Sequence, residues 1–148
     1  MCSKRPEILV IDDDDQVLRA IEIMLSRKLD NVEVKTCHNA QEADQVRSDM
    51  ENLAGALIDI HLSNGTSGEE YADQLRQRGA DLGIALMSAM GMHEGRYRFL
   101  SKPFTQEEVL GIVEDMIANW SIREDVKAMR ENVRMIRRTF EGAGYAPG

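Results

Sequence analysis

The sequence predicts an α/β fold, a doubly wound parallel sheet of five strands with helices on both faces. Three apolar runs, 8–11, 56–58 and 84–87, are continuous rather than alternating, which is typical of strands that are covered on both sides. Helix-start signals lie between these runs, so strands and helices alternate along the chain. Because a strand–helix–strand unit makes a right-handed crossover between parallel strands, this alternation predicts a parallel sheet.

The first strand is expected over 8–11, and Asp14 and Asp15 begin the helix that follows it. The stretches 32–36 and 97–101 alternate between apolar and polar residues, which suits strands at the two edges of the sheet. Further helix starts are marked by an N-cap residue three positions before a glutamate, a spacing that satisfies the backbone N–H groups of both. These pairs are Asn39 and Glu42, Ser67 and Glu70, Thr105 and Glu108, and Ser121 and Glu124.

One connection breaks the alternation of strands and helices. Only residues 90–96 lie between the fourth and fifth predicted strands, and they include the poor helix formers Gly91 and Gly95. A crossover helix normally needs about a dozen residues. We therefore expect an irregular connection at this point.

Composition limits the classes of function that need to be considered. The chain has 148 residues, 43% of them hydrophobic, and 18 basic against 26 acidic side chains give a net charge of −8. This balance argues against intrinsic disorder and against wrapping nucleic acid or an anionic membrane. Two cysteines make no disulfide framework, and no apolar run is long enough to span a bilayer. We expect one cytoplasmic domain.

Polar side chains follow the carboxyl ends of four predicted strands. Asp12 and Asp13 follow the first strand, Asp59 the third, Ser88 the fourth and Lys102 the fifth. Ligands of open parallel sheets bind beyond these strand ends, so we expect the five side chains in one crevice. Clustered carboxylates need a cation, and hard oxygen ligands suit Mg²⁺. An aspartate can attack phosphorus, while a lysine and a hydroxyl can hold phosphoryl oxygens.

This pattern resembles the receiver domain of two-component response regulators. The resemblance is carried by ILVIDDDD at 8–15, ALIDIHL at 56–62, IALMSA at 84–89 and FLSKPF at 99–104, and it covers about residues 7–120. It implies a CheY-like fold with strand order 2-1-3-4-5. It also implies phosphoryl transfer from a sensor histidine kinase or phosphotransfer protein, and a family helix between the fourth and fifth strands that is largely missing here.

The resemblance assigns roles to individual residues. Asp59 would be the phosphoacceptor and a metal ligand, Asp13 would bind Mg²⁺ directly, Asp12 would bind it directly or through water, and His61 would offer its backbone carbonyl. Ser88 and Lys102 would contact the phosphoryl group, with a bond to Pro103 that is often cis in the family. Ser88 and Phe99 would form the conformational switch.

Two rival functions stay open at this point. An aspartate-based phosphohydrolase of the haloacid-dehalogenase type needs a second aspartate two residues after the nucleophile, where this chain has His61. A receiver-like interaction module that no longer accepts phosphate is the other, since the short 90–96 connection alters the output surface. We expect no enzymatic turnover beyond self-catalysed transfer to Asp59 and hydrolysis from it.

The C-terminal region repeats apolar residues at steps of four and three, which is typical of a coiled-coil seam. The members are Ile122, Val126, Met129, Val133, Ile136 and Phe140. Because Ser121 and Glu124 form a helix-start signal, we predict a receiver over 1–120, a separate amphipathic helix over 121–141 and a flexible tail over 142–148. The segment 121–140 carries six basic and three acidic side chains.

The apolar seam needs a cover, and three covers are open. A second copy, giving a homodimer through 121–140, is the first choice. Folding back or swapping over the sheet comes next, and a nucleic-acid arm is third because the seam is apolar. We therefore expect neither direct nucleic-acid binding nor membrane binding.

Overall fold

The computed structural model of the protein describes residues 4–63, 65–79, 81–91 and 95–144. The elements in chain order are β1 (Glu7–Ile11), α1 (Asp15–Lys28), β2 (Glu33–Cys37), α2 (Ala40–Arg47), β3 (Leu53–Asp59), α3 (Gly68–Arg78), β4 (Gly83–Ser88), β5 (Arg98–Ser101) and α4 (Gln106–Gly142). All strand pairs are parallel, and the strands lie in the order β2-β1-β3-β4-β5. The predicted fold class, strand order and C-terminal helix are confirmed.

The core has two layers, one on each face of the sheet. Ile8 and Val10 of β1 point into the layer covered by α1 and α4, whereas Leu9 and Ile11 point into the layer covered by α2 and α3. All four side chains are fully buried. A central strand that is covered on both faces needs apolar residues at consecutive positions, which explains the continuous apolar runs.

Two glycines on neighbouring strands leave room for a methionine side chain of α4. A Cβ atom at Gly55 would lie 2.3 Å from Sδ of Met116, and one at Gly83 would lie 2.8 Å from Cγ of Met116. A side chain at either position would therefore force the Met116 side chain out of its present place. Met116 is 4% exposed in this contact.

Local capping explains where most of the helices begin. Asp14 accepts the N–H of Gln16 at the start of α1, and Asn39 accepts the N–H of Glu42 at the start of α2. Reciprocal capping boxes, in which cap and glutamate each bond the other's backbone, start α3 at Ser67 and α4 at Thr105. These four predicted helix starts are confirmed.

The predicted break at Ser121 is wrong. α4 runs without interruption through this position for 37 residues. A capping side chain acts only where backbone N–H groups lack a carbonyl partner, and here the preceding turn of helix supplies the carbonyls. Glu124 instead accepts a hydrogen bond from Lys4 at 3.0 Å. Gly142, expected in the flexible tail, belongs to the helix, and positions 145–148 of that tail lie outside the described residues.

The connection between β4 and β5 contains no helix among its described residues, 89–91 and 95–97, as the sequence predicts. The remaining positions, 92–94, are not described. The Tyr97 hydroxyl donates a hydrogen bond to Asp73 of α3, and the Arg76 guanidinium lies 5.3 Å from the centre of the Tyr97 ring. These contacts tie the start of β5 to α3. Ile84 stays only 4% exposed although no helix crosses from β4 to β5 in the described residues.

Membrane insertion finds no support in the helices. Within the described ranges, none of them combines the length and the apolar character that a transmembrane span requires.

Candidate functional site

Parallel strand ends assemble the candidate site at one edge of the sheet. Asp12 directly follows β1, Asp59 is the last residue of β3, Ser88 is the last residue of β4, and Lys102 directly follows β5. The backbone continues the sheet pairing beyond the strands, since the Lys102 N–H donates to the Ser88 carbonyl at 2.8 Å. The site therefore rests on adjacent backbones rather than on a long loop.

Three carboxylates form the centre of the site. Oxygen atoms of Asp12, Asp13 and Asp59 all lie within 4.8 Å of one another. Asp12 is fully buried and Asp59 is 5% exposed, whereas Asp13 is exposed at the mouth of the crevice. Hard oxygen donors packed this closely fit a divalent cation such as Mg²⁺.

Lys102 supplies the positive charge between the two buried carboxylates. Its Nζ atom lies 2.6 Å from Oδ2 of Asp12 and 3.3 Å from Oδ2 of Asp59, and its side chain is only 19% exposed. Lys102 is therefore an integral part of the buried charge cluster, not a solvated surface residue.

Burial and charge compete in setting the protonation of this cluster. Burial raises the pKa of Asp12, and the hydrogen bond from Lys102 offsets only part of the increase. Burial alone lowers the pKa of Lys102, but the hydrogen bonds and charges of Asp12 and Asp59 outweigh it and leave that pKa raised. Three carboxylates and one ammonium group in so small a volume repel one another on balance, which favours a further cation at this position.

Backbone amides fix the orientation of both buried carboxylates. The His61 N–H donates to Oδ1 of Asp59 at 3.1 Å, and the Asp14 N–H donates to Oδ1 of Asp12 at 2.9 Å. Each carboxylate thus has one oxygen held by backbone and the other directed at Lys102. The imidazole of His61 is exposed, so this residue contributes to the described geometry through its main chain.

Gly68 is a residue that the sequence reasoning missed. A Cβ atom there would lie 2.0 Å from the carbonyl oxygen of Asp59, because the first turn of α3 passes directly over the end of β3. The Gly68 N–H donates to the Ile60 carbonyl at 2.9 Å. Glycine is a poor choice inside a helix, so its position directly after the N-cap Ser67 is the signal that could have identified this close approach.

Ser88 ends β4 and Phe99 lies within β5, and no described hydrogen bond joins the Ser88 hydroxyl to the carboxylate cluster. Ser88 is 3% exposed, and its hydroxyl oxygen accepts the N–H of Met90 at 3.0 Å. Phe99 is half-buried on β5 and packs into the layer covered by α2 and α3. The Lys102–Pro103 bond is cis, as the resemblance implies.

Curated relatives are regulatory proteins that are longer than this chain. The chain is 29% identical over 115 residues to the C4-dicarboxylate transport transcriptional regulatory protein DctD of Pseudomonas aeruginosa, covering 72% of this chain and 24% of that protein. It is 28% identical over 131 residues to the response regulator MprA of Mycobacterium avium, covering 82% of this chain and 55% of that protein. The chain thus spans from 24% to 55% of the length of these two relatives.

Solved structures share the fold at low sequence identity. A response regulator receiver domain protein from Clostridium thermocellum gives a TM-score of 0.66 at 20% identity, covering 79% of this chain and 98% of that one. NtrX from Brucella abortus gives a TM-score of 0.72 at 20% identity, covering 93% of this chain and 34% of that one.

A family model described as the response regulator receiver domain matches residues 8–114. The match begins in β1, includes the three carboxylates, Ser88 and Lys102, and extends into α4. Because it covers well over half of the chain and contains the whole candidate site, this chain belongs to the family of response regulator receiver domains.

Proposed function

We propose that the chain accepts a phosphoryl group on Asp59 from the phosphohistidine of a sensor kinase or phosphotransfer protein, in a Mg²⁺-dependent reaction. The observation that carries this proposal is the Asp59 carboxylate itself. It ends a buried strand beside two further carboxylates, and its two oxygens are oriented separately by a backbone amide and an ammonium group. Such preorganisation suits a nucleophile that attacks phosphorus.

The transfer step conserves atoms and charge. A carboxylate oxygen of Asp59 forms a bond to phosphorus, the bond from phosphorus to the imidazole nitrogen breaks, and the departing imidazole takes up a proton. In hydrolysis the oxygen of water forms a bond to phosphorus, the bond from phosphorus to the Asp59 oxygen breaks, and inorganic phosphate, the Asp59 carboxylate and a proton are released. Because both steps use the protein's own side chain, the chain turns over no separate substrate.

The residues present fit a magnesium ion. Asp13 and Asp59 would bind it directly, Asp12 directly or through water, and His61 through its backbone carbonyl. When bound, Mg²⁺ supplies positive charge that lowers the repulsion between the carboxylates and the incoming phosphoryl oxygens.

Lys102, Ser88 and Phe99 complete the proposed site. The Lys102 ammonium lies 3.3 Å from Asp59, close enough to stabilise negative charge on a phosphoryl group attached there. The Ser88 hydroxyl ends the neighbouring strand and would leave its Met90 contact to bond the phosphoryl group. A move of this kind would be passed to β5 and to Phe99, which is half-buried there.

The distal part of α4 is the proposed output segment. Each large apolar residue from Ile122 to Phe140 is between 40% and 66% exposed in the isolated chain. Exposed apolar stripes of this size are typical of interaction surfaces. We place the phosphoacceptor domain over 1–120 and assign 121–141, which continues the same helix, to the pairing of two copies.

Intact-mass measurement after incubation with acetyl phosphate and Mg²⁺ tests the phosphoacceptor. One phosphoryl adduct is expected on the wild-type chain and none on Asp59→Asn. Asp49→Asn, at an exposed aspartate beyond the end of α2, is the matched control and should be modified normally. An adduct that persists in Asp59→Asn, or that forms equally in excess chelator, would contradict the proposal.

A receiver-like interaction module remains the alternative, favoured by the absence of a helix among the described residues between β4 and β5. It predicts no adduct on the wild-type chain. The phosphohydrolase is the weaker rival, since His61 stands where a second aspartate is needed; it predicts turnover of phosphate esters by the wild-type chain.

A further inference from the structure

α4 presents two different apolar faces in its two halves. The residues that pack on the sheet are Val109, Ile112, Val113, Met116 and Trp120, all 6% exposed or less. The distal apolar stripe, defined as Ile122, Val126, Met129, Val133, Ile136 and Phe140, is exposed along its whole length. Because an α-helix turns by about 100° per residue, the two faces are rotated by roughly 135° from each other around the axis.

This rotation argues against a cover supplied by the chain's own sheet. α4 is one uninterrupted helix, so its distal half cannot turn the stripe towards the sheet without a break. The exit of the helix is also braced, since Trp120 is 5% exposed in the core and Glu124 pairs with Lys4 at 3.0 Å. A second chain is the cover that leaves this geometry intact.

The stripe has the heptad positions of a two-stranded coil. Val126, Val133 and Phe140 occupy the a positions, and Ile122, Met129 and Ile136 occupy the d positions. Valine at two of these three a positions is compatible with two parallel strands. Asn119 occupies the preceding a position and is exposed on the same face. An asparagine at a is a device that fixes register in parallel dimers.

Charges beside the stripe distinguish the two possible directions. The e positions are all arginine, at Arg123, Arg130 and Arg137, and the g position of the heptad that begins at Asn119 is Asp125. In an antiparallel coil e positions face e positions, which sets arginine against arginine along one whole side. In a parallel coil g faces e of the next heptad, which places Asp125 of each copy beside Arg130 of the other.

We propose that two copies pair through the distal apolar stripe as a parallel, in-register coiled coil. This inference rests on the dimer proposed above and adds the relative direction and the register of its two helices. Both receiver domains then lie at one end of the coil and both Gly142 residues at the other. A change in one receiver domain can thereby act on the spacing of the two paired helices, one from each copy.

Disulfide trapping with diamide tests direction and register in a Cys2→Ser background. Cys37 can stay because it is fully buried and burial raises the pKa of its thiol to about 11. Three single variants are compared: Val126→Cys at a, Ile136→Cys at d, and Ala128→Cys at an exposed position off the stripe as control. A disulfide needs Cα atoms within about 7 Å.

In a parallel coil Val126→Cys and Ile136→Cys each link to their own kind, about tenfold more than Ala128→Cys does, because only a and d positions meet. A mixture of the two variants forms no 126–136 link, because these positions lie about 15 Å apart along the helix. Peptide mapping identifies the links.

Exclusive 126–136 links in that mixture would mean an antiparallel coil, which overturns the direction while leaving the dimer. Linking of Ala128→Cys at the rate of the other two would indicate collision and overturn the coil. A monomer by light scattering at every concentration would overturn the dimer itself. None of these outcomes bears on phosphoryl uptake at Asp59, which the mass measurement tests separately.

Discussion

The two halves of α4 each carry apolar residues along one helical face, and these faces meet opposite environments. In the proximal half, from Gln106 to Trp120, the apolar face packs on the sheet over Gly55 and Gly83. In the distal half, the apolar face points away from the domain and is exposed. The comparison shows that helical spacing identifies a face that needs a cover, but the partner depends on what the rest of the fold offers.

The largest expected difference between the halves comes from the same substitution at two valines. Val109 is fully buried and Val133 is 64% exposed. Val109→Asp buries an unpaired charge and should lower the free energy of unfolding by about 4 kcal/mol or more. Val133→Asp should leave the free energy of unfolding of the monomer within about 0.5 kcal/mol of wild type. The same substitution should abolish pairing of two copies.

Urea denaturation at low protein concentration measures the monomer, and light scattering at high concentration measures pairing. A strongly destabilised Val133→Asp monomer would mean that the distal half packs within one chain, and a tolerated Val109→Asp would mean that the proximal half does not.

An intermediate effect is expected from truncating two methionines. Met116→Ala removes the side chain that fills the space above Gly55 and Gly83 and should cost about 2–4 kcal/mol of unfolding free energy. Met129 is 65% exposed, so Met129→Ala should cost the monomer less than about 0.5 kcal/mol. The same urea measurement checks both. Equal losses at the two positions would remove the distinction between the halves.

The smallest effect is expected at a site remote from α4, where stability depends on pH. Hydrogen bonds that the His38 ring donates to the carboxylates of Asp15 and Glu42 raise the pKa of His38. Its contribution to folding is therefore fully present below the unfolded pKa of about 6.5 and is lost as pH rises through the higher folded pKa. Because His38 is solvent-exposed, this contribution is small.

Comparing the free energies of unfolding at about pH 5.5 and about pH 8.5 measures this effect. His38→Gln should reduce the fall in unfolding free energy between the two pH values. A chain truncated after Trp120 should show the same fall as the monomeric full-length chain. An identical fall in wild type and His38→Gln would refute the role of this cluster.

Much of the fold and of the site could be predicted because the signals are local. Apolar runs mark the central strands, and the caps at Asn39, Ser67 and Thr105 mark helix starts through groups only three residues apart. The polar residues at strand ends could be assigned to one crevice because parallel strands end at a common edge. Gly68 was missed because the atom that it approaches, the carbonyl oxygen of Asp59, belongs to the preceding strand, and no local sequence pattern reveals that contact.

The sequence by itself determined which residues form the strands, which polar groups end them and which face of the last helix is apolar. Each of these follows from spacing along the chain and from local hydrogen-bonding preference. Only the tertiary structure decided that Ser121 caps nothing, because Trp120 is held in the core and α4 continues beyond Ser121 without a break. It also decided that Lys102 neutralises a buried carboxylate and that the distal stripe faces away from the sheet, since both depend on packing between distant parts of the chain.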